Sequence, residues 1–149
     1  MPRTRLFYHF VWTTKHRQPM ITERNRAAIH ACVLAKAAEY DGVVHAINSV
    51  ADHVHLLVTL PPAVSLAEFV AKAKGASSHL ASRLGSDLTP FSWQGDYGVM
   101  TVSEQYLEAV VRYVERQVQH HANRALIPDL EPPGNAPALI RVLQSNDAC

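Results

Sequence analysis

Two histidines lie one residue apart in a strongly apolar segment, His53 and His55 of the stretch DHVHLLVTL that spans residues 52–60. Because side chains alternate between the two faces of a strand, both imidazoles point to one side, about 6 to 7 Å apart along the strand. The opposite side is entirely apolar, with Val54, Leu56, Val58 and Leu60. A strand that only filled a core has no reason to place two titratable rings on one face. The pair therefore has the form of half a metal site.

A second group of polar side chains lies in an amphipathic segment after residue 103. An apolar stripe at helical spacing consists of Leu107, Val110, Val111, Val114 and Val118. Tyr113, Gln117 and His120 follow one edge of that stripe, because positions i, i+4 and i+7 of a helix lie nearly above one another. Taken singly, Tyr113 is better explained as a boundary aromatic residue with a solvated hydroxyl, and Gln117 as a surface amide. Their shared edge makes this helix the place to look for more chemistry.

The length and composition limit the class of protein. A chain of 149 residues suits one domain with a real core, and 48% hydrophobic with 18% charged residues is an ordinary globular balance. Cys32 and Cys149 make no disulfide framework and suit a reducing cytosol, while Met1–Arg5 lacks the apolar core of a signal peptide. We therefore expect a cytoplasmic protein without a membrane segment. We predict one domain over residues 1–127, followed by an irregular proline-rich tail over residues 128–149.

Charge does not by itself indicate a nucleic-acid partner, because the net charge is only +1 with neutral histidines. Such a partner would have to meet local basic patches. One patch is the segment 15–17 (KHR), and the other follows a predicted helix with Lys72, Lys74, His79 and Arg83. On charge alone, both patches are better explained as a solvated helix or loop surface.

The elements that would position these residues follow one another in a β-α-β-β-α-β-α order. We predict strands at 6–13, 43–50 and 53–60, short strands at 91–94 and 99–102, and helices at 22–40, 65–84 and 103–123. Ser65 and Glu68 form a capping box that begins the second helix. This order predicts the α+β class, with a ferredoxin-like (RRM-like) antiparallel sheet covered on one face by two helices. The third helix would then dock on the other face, over His53 and His55.

Together these residues resemble the HUH nucleases, named for their His-hydrophobic-His motif, and among them the single-tyrosine transposases of the smallest bacterial insertion sequences. The resemblance covers most of the chain and rests on the segments Phe10–Arg17, Asp52–Leu57, Lys74–Ser78, Phe91–Gly98, Thr101–Ser103 and Tyr113–His121. Met100, where phenylalanine is common, and the tail after Pro128 depart from the pattern.

The resemblance implies a particular chemistry. His53, His55 and Gln117 would hold one divalent cation, Mg²⁺ or Mn²⁺, and Tyr113 would attack a phosphodiester of single-stranded DNA to leave a 5′-phosphotyrosine and a free 3′-hydroxyl. The reaction would be a transesterification that cleaves and rejoins strands without ATP. The DNA would carry hairpin ends, and the protein would be a homodimer in which the tyrosine helix of one subunit can serve the histidine pair of the other.

The basic and hydroxyl side chains then take hypothetical roles on DNA. Phosphates would be held by Lys15, Arg17, Lys74, Ser77 and Ser78. Trp12, Trp93 and Tyr97 would either stack on bases or pack in the core.

Two alternative functions remain open at this point. One is a dimeric nucleic-acid-binding module of the same fold without chemistry, in which the histidines are merely buried and hydrogen-bonded. The other is a metal-dependent hydrolase in which His53, His55 and a further histidine such as His120 bind zinc that activates water.

Overall fold

The computed structural model describes residues 3–85 and 90–117. The strands are β1 (Phe7–Thr13), β2 (Val43–Val50), β3 (His53–Thr59) and β4 (Gly98–Thr101). The helices are α1 (Glu23–Glu39), α2 (Leu66–Leu84) and α3 (Leu107–Glu115), with single 3₁₀ turns at Lys15–Arg17 and Glu104–Tyr106. Within the described ranges, no helix is both long enough and apolar enough to cross a membrane.

The four strands form one antiparallel sheet in the order β2-β3-β1-β4. His55 pairs with Val11 of β1 and Asn48 of β2, and a register shift interrupts β2 between Val44 and Ala46. The strand that carries both histidines is therefore central, and its backbone is held from both sides. The α+β class and the ferredoxin-like arrangement that the sequence predicts are confirmed.

The alternation of β3 divides its side chains between two cores. Val54, Leu56, Val58 and Leu60 pack in the larger core with residues of α1 and α2, among them Ile29, Val33, Phe69 and Val70. Leu57 packs on the opposite face in the smaller core, with Val110, Tyr113 and Val114 of α3. The third helix thus covers the face of the sheet that carries His53 and His55, as the periodicity predicts.

The first two helices begin where their capping residues predict. Asn25 Oδ1 accepts from the backbone N–H of Thr22 at 2.7 Å at the start of α1. Ser65 Oγ accepts from the backbone N–H of Glu68 at 3.2 Å at the start of α2. Both bonds satisfy donors at a helix start.

The third helix differs from its sequence prediction within the described residues. A 3₁₀ turn follows Ser103, α3 runs from Leu107 to Glu115, and Arg116 forms a non-helical turn before Gln117, which is helical again. At that point Asn48 Nδ2 of β2 donates to Glu115 O at 2.9 Å, a contact that a local sequence pattern does not encode. The predicted continuation, including His120, and the tail over 128–149 lie outside the described residues.

The segment between α2 and β4 also differs from the prediction. In place of a strand over 91–94, only Trp93 forms an isolated bridge, with Thr14. Gln94 N donates to Thr13 O at 2.9 Å and Lys15 N donates to Ser92 O at 2.9 Å, so this segment follows the end of β1 for a few residues only. The predicted strand at 99–102 is present as β4.

Candidate metal and nucleophile site

The histidine pair lies on β3 beneath α3 and is fully buried. His53 and His55 each have 0% exposure, and their ring centroids are 5.0 Å apart with an interplanar angle of 68°. The regular alternation of β3 therefore places two neighbouring imidazoles on the face of the sheet that α3 covers.

A carboxylate lies behind His53. His53 Nδ1 donates to Asp52 Oδ1 at 2.7 Å, and Arg17 Nε contacts the other oxygen, Oδ2, at 3.3 Å. The hydrogen bond from His53, together with the nearby Arg17 charge, holds the pKa of Asp52 below its usual range, so the carboxylate is ionised at neutral pH. Because Nδ1 carries the donated proton, Nε2 of a neutral His53 keeps its lone pair for a metal.

A third imidazole lies behind His55. His9 of β1 is fully buried, and its Nε2 is 2.9 Å from His55 Nδ1. The two rings have centroids 5.1 Å apart and an interplanar angle of 20°. The two strand histidines are therefore both engaged through Nδ1, one by a carboxylate and one by an imidazole.

Tyr113 of α3 lies directly against the histidine pair of its own chain. Its ring centroid is 6.1 Å from that of His55 at an interplanar angle of 76°, and its side chain is 2% exposed. The apolar stripe of α3 brings it there, since Val110 and Val114 pack with Leu57 of β3. The prediction that the third helix brings Tyr113 toward the histidine face of the sheet agrees with this contact.

Gln117 lies just after α3, four residues beyond Tyr113. It is fully buried, and its Nε2 donates to Tyr113 O at 3.3 Å. Among the described residues no donor reaches its Oε1. A buried amide oxygen without a hydrogen bond costs free energy unless a cation or another donor satisfies it.

The donor set fits a divalent cation. Within the described residues, no three His, Cys, Asp or Glu side chains are arranged to hold a metal, so a third ligand has to be of another type. The carboxamide oxygen of Gln117 is such a ligand, and its lack of a donor is what a metal ligand would show in the absence of the ion. Two imidazoles and one amide oxygen suit a first-row divalent metal or Mg²⁺ with further oxygen ligands.

The first predicted DNA-binding segment is an exposed basic turn next to the site. Lys15, His16 and Arg17 are exposed, and His16 and Arg17 have the left-handed φ values of 56° and 54°. That backbone region is unfavourable for residues other than glycine, and such strain concentrates at functional sites. Arg17 is also tied to Asp52, so the turn is connected to the support of His53.

The predicted DNA-binding residues of α2 are less available. Ser77 is fully buried, donates to Ala73 O at 2.7 Å and accepts from Trp93 Nε1 at 3.0 Å. The prediction that Ser77 holds a DNA phosphate therefore does not agree with this structure, because its hydroxyl is used to join α2 to Trp93.

Lys74 and Ser78 lie on the same helix in partly exposed positions. Lys74 Nζ donates to the backbone carbonyls of Gln94 and Asp96, and burial lowers the pKa of its ammonium group. Ser78 Oγ donates to Gly75 O at 3.2 Å. In this structure Lys74 stabilises the 94–96 segment.

The tryptophans pack in the core. Trp12 is 0% and Trp93 is 9% exposed, and their rings meet edge to face with centroids 6.0 Å apart. Of the two roles left open by the sequence, the structure therefore gives both side chains the packing role. Tyr97 is partly buried against the same core.

The sequence patterns did not predict the roles of three residues at or near the site. Asp52 precedes the first histidine directly, His9 lies on the face of β1 that alternation shares with Val11 and Thr13, and Asn48 is a polar residue in the middle of β2. A signal existed for His9, since a histidine among aromatic strand residues is unusual. Its partner was not predictable without the register of β1 against β3.

An antiparallel four-stranded sheet, with α1 and α2 on one face and α3 on the other, defines an α+β fold, and the comparisons assign the chain to the transposases. A family model described as "Transposase IS200 like" matches residues 3–117. The chain therefore belongs to the IS200-like transposase family, and its function is that of a DNA transposase. Family membership indicates a metal-dependent reaction.

Similar proteins agree with this assignment. The ISDra2 transposase TnpA of Deinococcus radiodurans is 28% identical over 117 residues, which are 75% of this chain and 84% of that protein. The transposase for insertion sequence element IS200 of Salmonella typhimurium is 28% identical over 118 residues, 75% of this chain and 76% of that protein.

Two solved structures have a similar fold. A crystal structure of a candidate transposase from Deinococcus radiodurans R1 matches with a TM-score of 0.62 at 25% identity, over 83% of this chain and 97% of that chain. A REP-associated tyrosine transposase bound to a REP hairpin matches with a TM-score of 0.63, over 94% of this chain and 99% of that chain. At 14% identity, the second likeness concerns the fold alone.

Proposed function

We propose that this transposase cleaves and rejoins single-stranded DNA, with Tyr113 as nucleophile and with His53, His55 and Gln117 as ligands of one divalent cation. The observation that carries the proposal is that all four side chains are buried, with the Tyr113 ring centroid 6.1 Å from that of His55 and Gln117 hydrogen-bonded to the backbone of Tyr113. A merely structural cluster would not need a buried amide oxygen without a donor, and Gln117 has one among the described residues.

The reaction is a transesterification at phosphorus. The Tyr113 hydroxyl oxygen forms a bond to phosphorus, the bond from phosphorus to the 3′-oxygen breaks, the phenol loses its proton and the 3′-oxygen gains one. The products are a 5′-phosphotyrosine and a free 3′-hydroxyl, so the energy of the phosphodiester is conserved for rejoining. A free tyrosine has a pKa near 10, and its hydroxyl therefore needs help to lose the proton at neutral pH.

The bound cation would supply Lewis-acid stabilisation of the charge that develops on the phosphate oxygens. The three proposed ligand side chains are neutral, so the full positive charge of the cation would act on the phosphate. We propose Mg²⁺ or Mn²⁺, because phosphate oxygens complete the coordination that these ions prefer.

The DNA-facing part of the proposal concerns Lys15, Arg17, Lys74 and Ser78. The exposed turn at Lys15–Arg17 is joined to the site through Asp52 and offers cationic side chains to a backbone phosphate. Lys74 and Ser78 flank the segment at 94–96. Since a related fold is known in a complex with a REP hairpin, we propose that the DNA of this chain has hairpin ends.

The proposed assembly is a homodimer that acts in the cytoplasm, where its DNA is. Strand β4 is at one edge of the sheet, and Val99 on it is 37% exposed. Sedimentation equilibrium is expected to give the mass of two chains. The mass of one chain at micromolar concentration would contradict this part of the proposal.

The test of the nucleophile is a covalent adduct. The full chain is incubated with labelled single-stranded oligonucleotides with hairpins, with and without Mn²⁺, and separated under denaturing conditions. The wild-type protein is expected to retain label only when Mn²⁺ is present, and Tyr113→Phe is expected to retain none. Tyr106→Phe is the matched control, because it removes the hydroxyl of a neighbouring tyrosine at the start of α3.

The alternatives make different predictions in the same assay. A metal-dependent hydrolase would cut the strand in both the wild type and Tyr113→Phe without an adduct. A binding module would leave the oligonucleotide intact and form no adduct, and it would shift the oligonucleotide only in a parallel native gel. Either pattern would contradict the assignment of Tyr113 as nucleophile.

A further inference from the structure

The imidazole behind His55 is placed by the register of two strands. His9 of β1 pairs with Leu57 of β3, and His55 lies two residues before Leu57 on the same face of the sheet. The two histidines are therefore diagonal neighbours across the strand pair, a distance that rings of this size can bridge. Their nitrogen atoms, His9 Nε2 and His55 Nδ1, are 2.9 Å apart inside the protein.

This contact needs one proton between two nitrogens, and there are two ways to supply it. If His9 Nε2 donates, a neutral His55 carries its proton on Nε2 and has no lone pair there. If His55 Nδ1 donates, His55 Nε2 keeps a lone pair that is available to a cation. Only the second arrangement is compatible with His55 as a metal ligand through Nε2.

We propose that His9 is a positioning residue of the active site: its Nε2 accepts the proton of His55 Nδ1 and so fixes His55 in the tautomer that binds the metal. This inference depends on the metal site of the proposed function. It assigns His9 no contact with the metal or with DNA, because the bond to His55 already uses the nitrogen that faces the site.

Asp52, the partner of His53, and His9, the partner of His55, differ in charge, and this difference suits the reaction. His53 is held by Asp52, an acceptor that is ionised and that brings a negative charge near the cation. His9 can orient His55 through a neutral acceptor and brings no such charge. The site therefore fixes two ligand rings while adding only one charged group, which leaves more of the metal's positive charge for a phosphate.

The matched variants are His9→Gln and His9→Leu. A glutamine side chain can place its Oε1 near the position of the imidazole Nε2 and accept the same proton, whereas leucine fills a similar volume without an acceptor. Thermal unfolding monitored by circular dichroism checks that each variant is folded.

The first measurement is the tautomer of His55 in the metal-free full chain, from long-range ¹H–¹⁵N correlation spectra, with His55→Gln identifying the resonance. Wild type and His9→Gln are expected to show a proton on Nδ1, and His9→Leu is expected to lose this preference. A proton on Nε2 of His55 in the wild type would overturn the inference.

The second measurement is Mn²⁺ affinity, from electron paramagnetic resonance of free Mn²⁺. His9→Leu is expected to weaken binding about 10- to 100-fold, the range for loss of a hydrogen-bond partner of a metal ligand, and His9→Gln is expected to restore most of it. Equal weakening by both variants would show that His9 only packs, and unchanged affinity in His9→Leu would also overturn the inference.

The two proposals fail in different ways. If the wild type binds no Mn²⁺, the proposed metal site fails, and the spectra still decide whether His9 sets the tautomer of His55. If the wild type binds Mn²⁺ and His9→Leu binds it equally well, the metal site stands and the role of His9 fails.

Discussion

At the scale of single residues, the site consists of groups that are each held by a neighbour. His53 is held by Asp52, His55 by His9, and the amide of Gln117 by the carbonyl of Tyr113. In the proposed metal site, these hydrogen bonds leave His53 Nε2, His55 Nε2 and Gln117 Oε1 as the ligand atoms. The proposed ligand side chains are thus oriented before the cation binds, which lowers the entropic cost of binding.

Replacement of Asp52 tests the support of His53. Asp52→Asn removes the charge that holds the Nδ1 proton, and we expect Mn²⁺ affinity to fall about 10- to 100-fold because the ring loses its orientation and some basicity. Arg17→Gln is the graded control, since it removes only the 3.3 Å contact to the other carboxylate oxygen. A larger loss in Arg17→Gln than in Asp52→Asn would contradict this order of support.

At the scale of elements, a hydrogen bond from β2 contacts the last residue of α3. Asn48 Nδ2 donates to Glu115 O at 2.9 Å, while Asn48 Oδ1 accepts from Ser49 N at 2.9 Å. The first bond satisfies a carbonyl at the helix end, where intrahelical donors are absent. Asn48 therefore fixes the end of the helix that carries Tyr113.

We expect Asn48→Ala to loosen the end of α3 and to cost about 0.5 to 1.5 kcal/mol of stability, the usual net worth of one hydrogen bond. Asn48→Asp is the sharper variant: it keeps the acceptor for Ser49 N but loses the donor and sets a negative charge against a helix C-terminus, which is unfavourable. Hydrogen exchange of residues 112–117 measures the loosening. Protection equal to wild type in Asn48→Asp would contradict the role of this bond.

The contact between α1 and β2 gives the stability a pH dependence. His30 Nε2 is 2.8 Å from the buried Ser49 Oγ, and burial together with the nearby Arg26 charge lowers the pKa of His30. The unfolded chain therefore binds more protons than the folded one once the pH falls to the ordinary histidine pKa near 6.5, and stability falls below that pH.

Replacement of His30 is expected to reduce this loss. Urea unfolding of the wild type at pH 8.0 and pH 5.5 should show a lower free energy of unfolding at the acidic pH, and His30→Gln should show a smaller difference. An unchanged difference in His30→Gln would assign the dependence to other groups.

The sequence predicts the elements better than the contacts between them. Alternation in β3 was sufficient to place His53 and His55 on one face, and the stripe of α3 was sufficient to place Tyr113 over them, because both patterns are local. The partnership of His9 with His55 requires the register of β1 against β3, and the end of α3 at Glu115 requires Asn48 from 67 residues earlier. These contacts join distant segments, so no local pattern encodes them.

At the scale of the whole molecule, the sheet separates a large core from a small one. The layer of α1 and α2 contains Phe10, Trp12, Ile29 and Phe69 among its buried residues. Among the described residues, the layer under α3 combines a smaller apolar cluster, with Phe7, Leu57 and Val110, with the buried polar side chains of His9, His53 and His55. More of the apolar burial of the described residues therefore lies in the layer opposite the site.

Truncation on each side of the sheet tests this division. Phe69→Ala is expected to lower the free energy of unfolding by about 3 to 5 kcal/mol, because it empties a fully buried aromatic site. Val110→Ala is expected to cost less in global stability and to increase hydrogen exchange chiefly in α3. Equal effects of the two variants on urea unfolding would contradict the separation of the two cores.

The location of Gln117 just after the helix that carries Tyr113 has a consequence for control. A displacement of this segment that carries the phenol away from the histidines also moves Gln117, since a 3.3 Å hydrogen bond joins Gln117 Nε2 to Tyr113 O. Under the proposed assignment of ligand and nucleophile, cation occupancy and the position of the phenol should thus change together. A strand of DNA would then meet either a fully assembled centre or an inert one.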